Sequence, residues 1–75
     1  MTTTANLDAR NLNCPLPILR TKKALKDLDA GDTLQILATD PGSVKDLRAF
    51  CAQTGNELVS SDEYAGEFQF VIRKA

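Results

Sequence analysis

Leu7-Asp8-Ala9-Arg10-Asn11-Leu12-Asn13-Cys14-Pro15-Leu16-Pro17 is the stretch on which the fold turns. Its first residues complete an alternation, with Ala5, Leu7 and Ala9 set against Asn6 and Asp8. That pattern suits a short strand over residues 5–9 with one buried face. Its last residues open a helix. Proline fits the first helical turn, where its missing N–H leaves no bond unmade. Beyond Pro15, the residues Ile18, Thr21, Leu25 and Leu28 recur at spacings of three and four. The spacing predicts a helix from Pro15 to about Ala30, stopped by Gly31.

Downstream, Thr33 to Thr39 alternates again and places Leu34, Ile36 and Ala38 on one face, until Asp40-Pro41-Gly42-Ser43 breaks the pattern. Asp40-Pro41-Gly42 reads as a turn, and Ser43 is positioned to cap a second helix. In that helix Val44, Leu47, Cys51 and Thr54 share a stripe, with Phe50 on its flank and Gly55 at its end. Glu57 to Ser61 and Glu67 to Arg73 complete the chain as two strands joined by a turn near Asp62 to Gly66. The order is β-α-β-α-β-β. Two helices cover one face of a four-stranded sheet, which agrees with strands that alternate instead of running apolar throughout. The first crossover makes strands one and two parallel, and the short last connection makes strands three and four an antiparallel hairpin. The expected fold is α/β, an α+β two-layer sandwich with a mixed sheet. Phe68, Phe70 and Ile72 should join Leu34 and Ile36 beneath the helices.

Seventy-five residues suffice for one modest core, so residues 1–75 are expected to form a single domain. Hydrophobic residues at 43% and charged residues at 25% place the chain among globular sequences. No apolar run approaches the roughly 20 residues that span a bilayer, and the N-terminal stretch has neither a basic nor an apolar leader segment. A cytoplasmic, membrane-free setting is the expectation. Two cysteines so far apart match no familiar disulfide or zinc spacing, and a reducing compartment keeps both as thiols. The chain has no histidine. That absence removes Cys-His and Ser-His-Asp arrangements and most catalytic zinc sites, so neither a metal nor a cofactor is expected.

Cys14 stands at or next to the N-cap of the predicted first helix, where unpaired N–H groups and the helix dipole favour negative charge. Residues 10 to 26 also carry Arg10, Arg20, Lys22, Lys23 and Lys26 without one acidic side chain. Both features lower a thiol pKa and favour the thiolate. Pro15 and Pro17 fix two φ angles around it. No neighbouring cysteine resolves a disulfide and no histidine acts as a base, so the thiol suits a group that other proteins load and unload. The competing reading is a cysteine that only caps the helix and packs locally. Physics alone leaves both open.

The remaining candidates are weighed in the same way. Cys51 falls on the apolar stripe of the second helix and reads as a core cysteine in preference to a redox partner of Cys14. Leu16, Leu19, Arg20, Lys23 and Lys26 share the outer side of the first helix, counted at 100° per residue. With Arg10 they form a candidate docking patch for an acidic partner, as against an ordinary solvated helix face. Direct nucleic-acid binding is not expected, because the basic stretch is brief and aromatics are 5% of the chain.

The segment Leu7 to Pro17, with its Cys-Pro-Leu-Pro motif, resembles the signature of the TusA/SirA sulfur-carrier family. The likeness continues through Asp40-Pro41, Asp46, Phe50-Cys51 and Gly55-Asn56-Glu57-Leu58, and covers essentially the whole chain. What the resemblance implies is a two-layer sandwich whose motif cysteine accepts sulfane sulfur as a persulfide and passes it on. The role would fall on Cys14, with Pro15 and Pro17 as its frame. The donor would be a cysteine desulfurase or rhodanese-like protein and the recipient a downstream acceptor protein, with this chain a monomeric carrier and not a stand-alone enzyme. Family members serve tRNA thiolation, molybdenum-cofactor biosynthesis or bacterial sulfur oxidation. Leu16 takes the variable position of the motif, where some tRNA-pathway members carry an acidic residue. The alternative is a non-catalytic interaction or regulatory module that works through the basic and apolar outer face of the first helix.

Overall fold

The computed structural model describes residues 4–13 and 16–75. Its elements are β1 (Thr4–Ala9), α1 (Leu16–Lys26), β2 (Thr33–Ala38), α2 (Ser43–Thr54), β3 (Glu57–Tyr64) and β4 (Glu67–Arg73). The sheet has the order β1-β2-β4-β3. β1 and β2 run parallel, while β2–β4 and β3–β4 are antiparallel. The mixed sheet therefore has the predicted connectivity, with β4 inserted between β2 and β3.

Register explains the core. Leu7 stands opposite Ile36, Ile36 opposite Phe70, and Leu34 opposite Ile72. Because side chains alternate along each strand, these residues share one face. Leu34, Ile36, Phe70 and Ile72 are fully buried there with Leu47 of α2, and Leu25 of α1 and Phe50 and Cys51 of α2 are buried beside them. Helix α1 packs mainly on β1 and β2, and α2 on β3 and β4. Phe68 is partly buried at the edge of this cluster, as are Leu12 and Ile18. The opposite face, which includes Asn6, Asp8, Gln35 and Gln69, has no helix over it among the described residues.

Three boundaries differ from the sequence expectation. Helix α1 ends at Lys26 and not near Ala30. Its last turn tightens through i→i−3 bonds from Asp27 N–H to the Ala24 carbonyl and from Leu28 N–H to the Leu25 carbonyl. Asp29 and Asp32 then make a local turn, in which the Asp32 carboxylate accepts from the Asp29 N–H at 3.0 Å. The Lys74 ammonium donates to the Leu28 carbonyl. Leu28 keeps its place against the core from this turn, which is why its spacing imitates another helical turn. Gly31, at φ 91°, belongs to the entry into β2 and does not stop the helix.

Ser43 is the first residue of α2 and not its cap. Gly42 takes the cap position without a side-chain hydrogen bond. Asp40 organises the approach instead: its carboxylate accepts from the Gly42 N–H at 3.1 Å and its carbonyl from the Ser43 N–H at 2.9 Å. The buried side of α2 is Ser43, Leu47, Phe50 and Cys51. Phe50 has thus moved from the flank into the core, and Thr54 is exposed with its hydroxyl donating to the Phe50 carbonyl.

Finally, β3 continues through Asp62 and Glu63 to Tyr64, and the hairpin turns on Ala65-Gly66 alone. Both turn residues have positive φ, 51° and 83°, as a type I′ turn requires. The acidic residues that read as a loop sit on an edge strand, where charge discourages pairing with another chain. An irregularity between Leu58 and Ser60 makes Val59 the extra residue of a bulge.

Candidate functional site

The C-terminal ends of the two parallel strands bring together the β1–α1 connection and the β2–α2 connection. The paired alanines Ala9 and Ala38 close the ladder there, both fully buried. Beyond them the two connections are linked through a side chain. The Asn11 N–H donates to the Thr39 hydroxyl oxygen at 2.9 Å, with Asn11 held at φ 65°. Asparagine is among the few residues that tolerate this left-handed region. One residue later the Leu12 N–H reaches back to the Ala9 carbonyl at 3.4 Å, and the Leu16 N–H donates to the Asn13 carbonyl at 2.8 Å. Cys14 and Pro15, the expected reactive residue and half of its frame, lie outside the described residues. Their neighbours on both sides are fixed by these bonds.

Pro17, the second proline of the motif, is buried in the first turn of α1, and its carbonyl accepts from the buried Thr21 hydroxyl at 2.8 Å. The first turn of α1 contains no acidic residue, and its last turn carries Lys23 and Lys26. The positive end of this helix dipole is therefore not offset by a carboxylate of the helix itself, and an anion nearby is favoured.

The expected docking residues divide into two groups. Leu16 and Leu19 are 42% and 53% exposed, and Arg20, Lys23 and Lys26 are exposed with them on the outer side of α1. An open groove of about 600 Å³ runs along this side, lined by Leu19, Lys22, Lys23, Lys26 and Asp27. Lys22 also lines it, at an angle on the helix between the outer and the buried sides. Arg10 is elsewhere. It holds Asp8 with Nε to Oδ1 and Nη2 to Oδ2, each at 2.9 Å, and approaches Glu67 at 3.6 Å. These hydrogen bonds bring the Asp8 carboxyl down to about 2 and push Arg10 up. Arg10 lines a separate cavity of about 280 Å³ with Asn6, Leu7, Asp8, Gln35 and Leu37, which shares no residue with the α1 groove.

Cys51 is 4% exposed, and burial pushes its thiol pKa up. It is a core residue, as the stripe on α2 indicates. Two features had little sequence signal. One is Thr39 as an acceptor for the motif loop, which only the parallel register makes possible. The other is Ser43, whose hydroxyl is buried at the start of α2 without a hydrogen-bond partner among the described residues.

Residues 5–74 match the family model for the sulfurtransferase TusA. The chain belongs to the TusA sulfurtransferase family. It is 59% identical over 69 residues to the sulfur carrier protein TusA of Allochromatium vinosum, covering 92% of this chain and 91% of that one. It is 43% identical over 70 residues to the sulfur carrier protein TusA of Pseudomonas aeruginosa, covering 93% and 89%. The crystal structure of a SirA-like protein from Desulfitobacterium hafniense superposes with a TM-score of 0.82 at 28% identity, covering 92% of this TusA-family chain and 95% of that protein. The two-layer fold with helices on one face is thus the fold of a SirA-like protein.

Proposed function

We propose that this protein is a sulfur carrier in which Cys14 holds a sulfane sulfur as a persulfide. The observation that carries the reading is near full-length similarity to proteins named sulfur carrier protein TusA, together with the Cys14-Pro15-Leu16-Pro17 motif at the start of α1. The Cys14 thiolate attacks the outer sulfur of a persulfide on a cysteine desulfurase or rhodanese-like donor. A new S–S bond forms at Cys14 as the donor's S–S bond breaks, and the donor cysteine leaves as a thiolate that takes up the proton Cys14 gave up. In the second transfer a thiolate or other nucleophile of an acceptor protein attacks the outer sulfur, and Cys14 becomes the leaving group. Neither step needs an external oxidant or reductant, a metal or a cofactor.

Burial of Cys51 supports the assignment to Cys14, because a thiol in the core is a poor nucleophile toward another protein. A carrier of this kind is one domain acting as a monomer in a reducing cytoplasm, and it completes no catalytic cycle alone. Leu16, Leu19, Arg20, Lys23 and Lys26 are the docking residues of this proposal, with exposed apolar surface to bury and positive charge to steer an acidic partner. The test is direct. Incubation with a cysteine desulfurase and cysteine should add the mass of one sulfur to the wild-type chain and none to Cys14→Ser. A serine variant that still gained the mass would sink the assignment. Lys23→Glu should slow loading by roughly threefold or more at low salt, and the difference should shrink as salt screens the approach.

A further inference from the structure

We propose that Thr39 is a positioning residue for sulfur transfer, acting through its hydrogen bond to the backbone of the motif loop. The inference rests on the carrier reading of Cys14. Asn11 is held in a left-handed conformation three residues before Cys14, and its N–H is bound by the Thr39 hydroxyl at 2.9 Å. Left-handed backbone in a non-glycine residue persists where the surroundings impose it. Thr39 supplies that constraint from a connection 28 residues away in sequence, anchored to the end of β2.

Chain geometry carries the constraint to the sulfur. Asn11 and Cys14 are three residues apart in sequence, a stretch that spans at most about 11 Å. On the other side the Asn13–Leu16 bond ties the chain to the start of α1. Thiol–persulfide exchange is a displacement at sulfur that requires the attacking and leaving atoms to be in line, and small misplacements of a reacting group lower rates steeply. A backbone N–H cannot be removed by ordinary substitution, so its acceptor is the handle. Valine keeps the shape of Thr39 without the oxygen, while serine keeps the oxygen.

The experiment is single-turnover loading of the full chain from a persulfidated cysteine desulfurase, followed by mass spectrometry over a range of donor concentrations. Thr39→Val should lower the maximal loading rate about tenfold, with little change in the donor concentration at half-maximal rate. Thr39→Ser should stay within about twofold of wild type. Amide exchange of Asn11 in Thr39→Val, checked by circular dichroism for folding, should be faster than in wild type. Wild-type loading with an unchanged rate in Thr39→Val, or equal slowing in Thr39→Ser, would overturn the role of Thr39 and leave the carrier reading standing. An Asn11 amide as well protected without the hydroxyl as with it would also overturn it. A wild-type chain that takes up no sulfur would overturn both.

Discussion

Helices α1 and α2 have nearly the same length, 11 and 12 residues, and lie on the same face of the sheet. They differ in what they leave outside. Helix α1 buries Pro17, Thr21 and Leu25 and exposes two leucines among Arg20, Lys22, Lys23 and Lys26. Helix α2 buries Leu47, Phe50 and Cys51 and mixes Lys45, Asp46 and Arg48 on its outer turns. Asp46 sits in the first turn of α2 and complements its dipole, whereas the first turn of α1 has no acid. One helix is finished within the fold. The other presents a positive start and an uncovered apolar and basic side, and the sequence places one cysteine before it and the other inside its counterpart.

The sharpest way to break this comparison is to exchange the roles of the two cysteines. Cys14→Ser should abolish sulfur loading without loss of stability, read by mass spectrometry and urea unfolding. Cys51→Ser should load normally and lose about 1–3 kcal/mol, because it places a hydroxyl where the core offers a sulfur-sized apolar space. Next come the leucines. Leu47→Ala removes a fully buried side chain and should cost about 2–5 kcal/mol. Leu19→Ala, at a position 53% exposed, should stay within about 0.5 kcal/mol while slowing transfer from the donor. A stability loss at Leu19 comparable to that at Leu47 would mean that α1 has no free side.

A smaller effect concerns alkaline pH. The folded chain holds the Cys51 thiol above its ordinary value of 9.0 through burial, so the native state keeps its proton longer than the unfolded chain does. That contribution is complete below the ordinary value and is lost as pH rises through the raised one. Urea midpoints should therefore fall above about pH 9 in the wild type and fall less in Cys51→Ala. Equal decline in both would remove Cys51 from the cause.

Much of this contrast was legible in the sequence. Alternation in Leu34-Gln35-Ile36 and Phe68-Gln69-Phe70 set the inner face, and the crossover rule set the parallel pair. The motif made Cys14 the candidate carrier, and the stripe placed Cys51 in the core, where it is buried. Boundaries were harder because tertiary partners decide them. Leu28 keeps helical spacing from a turn that Asp29, Asp32 and Lys74 stabilise, and Lys74 is 46 residues away in sequence. Asp62 and Glu63 carry loop-like composition, yet pair with Gln69 and Phe68 along a sheet edge. Arg10 counts as basic charge near Cys14 in the sequence, but Asp8 and Glu67 hold it at the uncovered side of the sheet.

The smallest predicted effect is at the start of α2. A serine capping a helix would lose about 1 kcal/mol when changed to alanine. Ser43 instead lies inside the helix with its hydroxyl buried and unpartnered among the described residues, so the native state bears the cost of desolvating that oxygen. Ser43→Ala removes the cost and introduces a better helix former. Stability should be unchanged or rise by up to about 1 kcal/mol, measured as a shift in urea midpoint at constant slope. A loss of 1 kcal/mol or more would show that the hydroxyl bonds at the junction of the two connections, and the start of α2 would then share in holding the motif loop as Thr39 does.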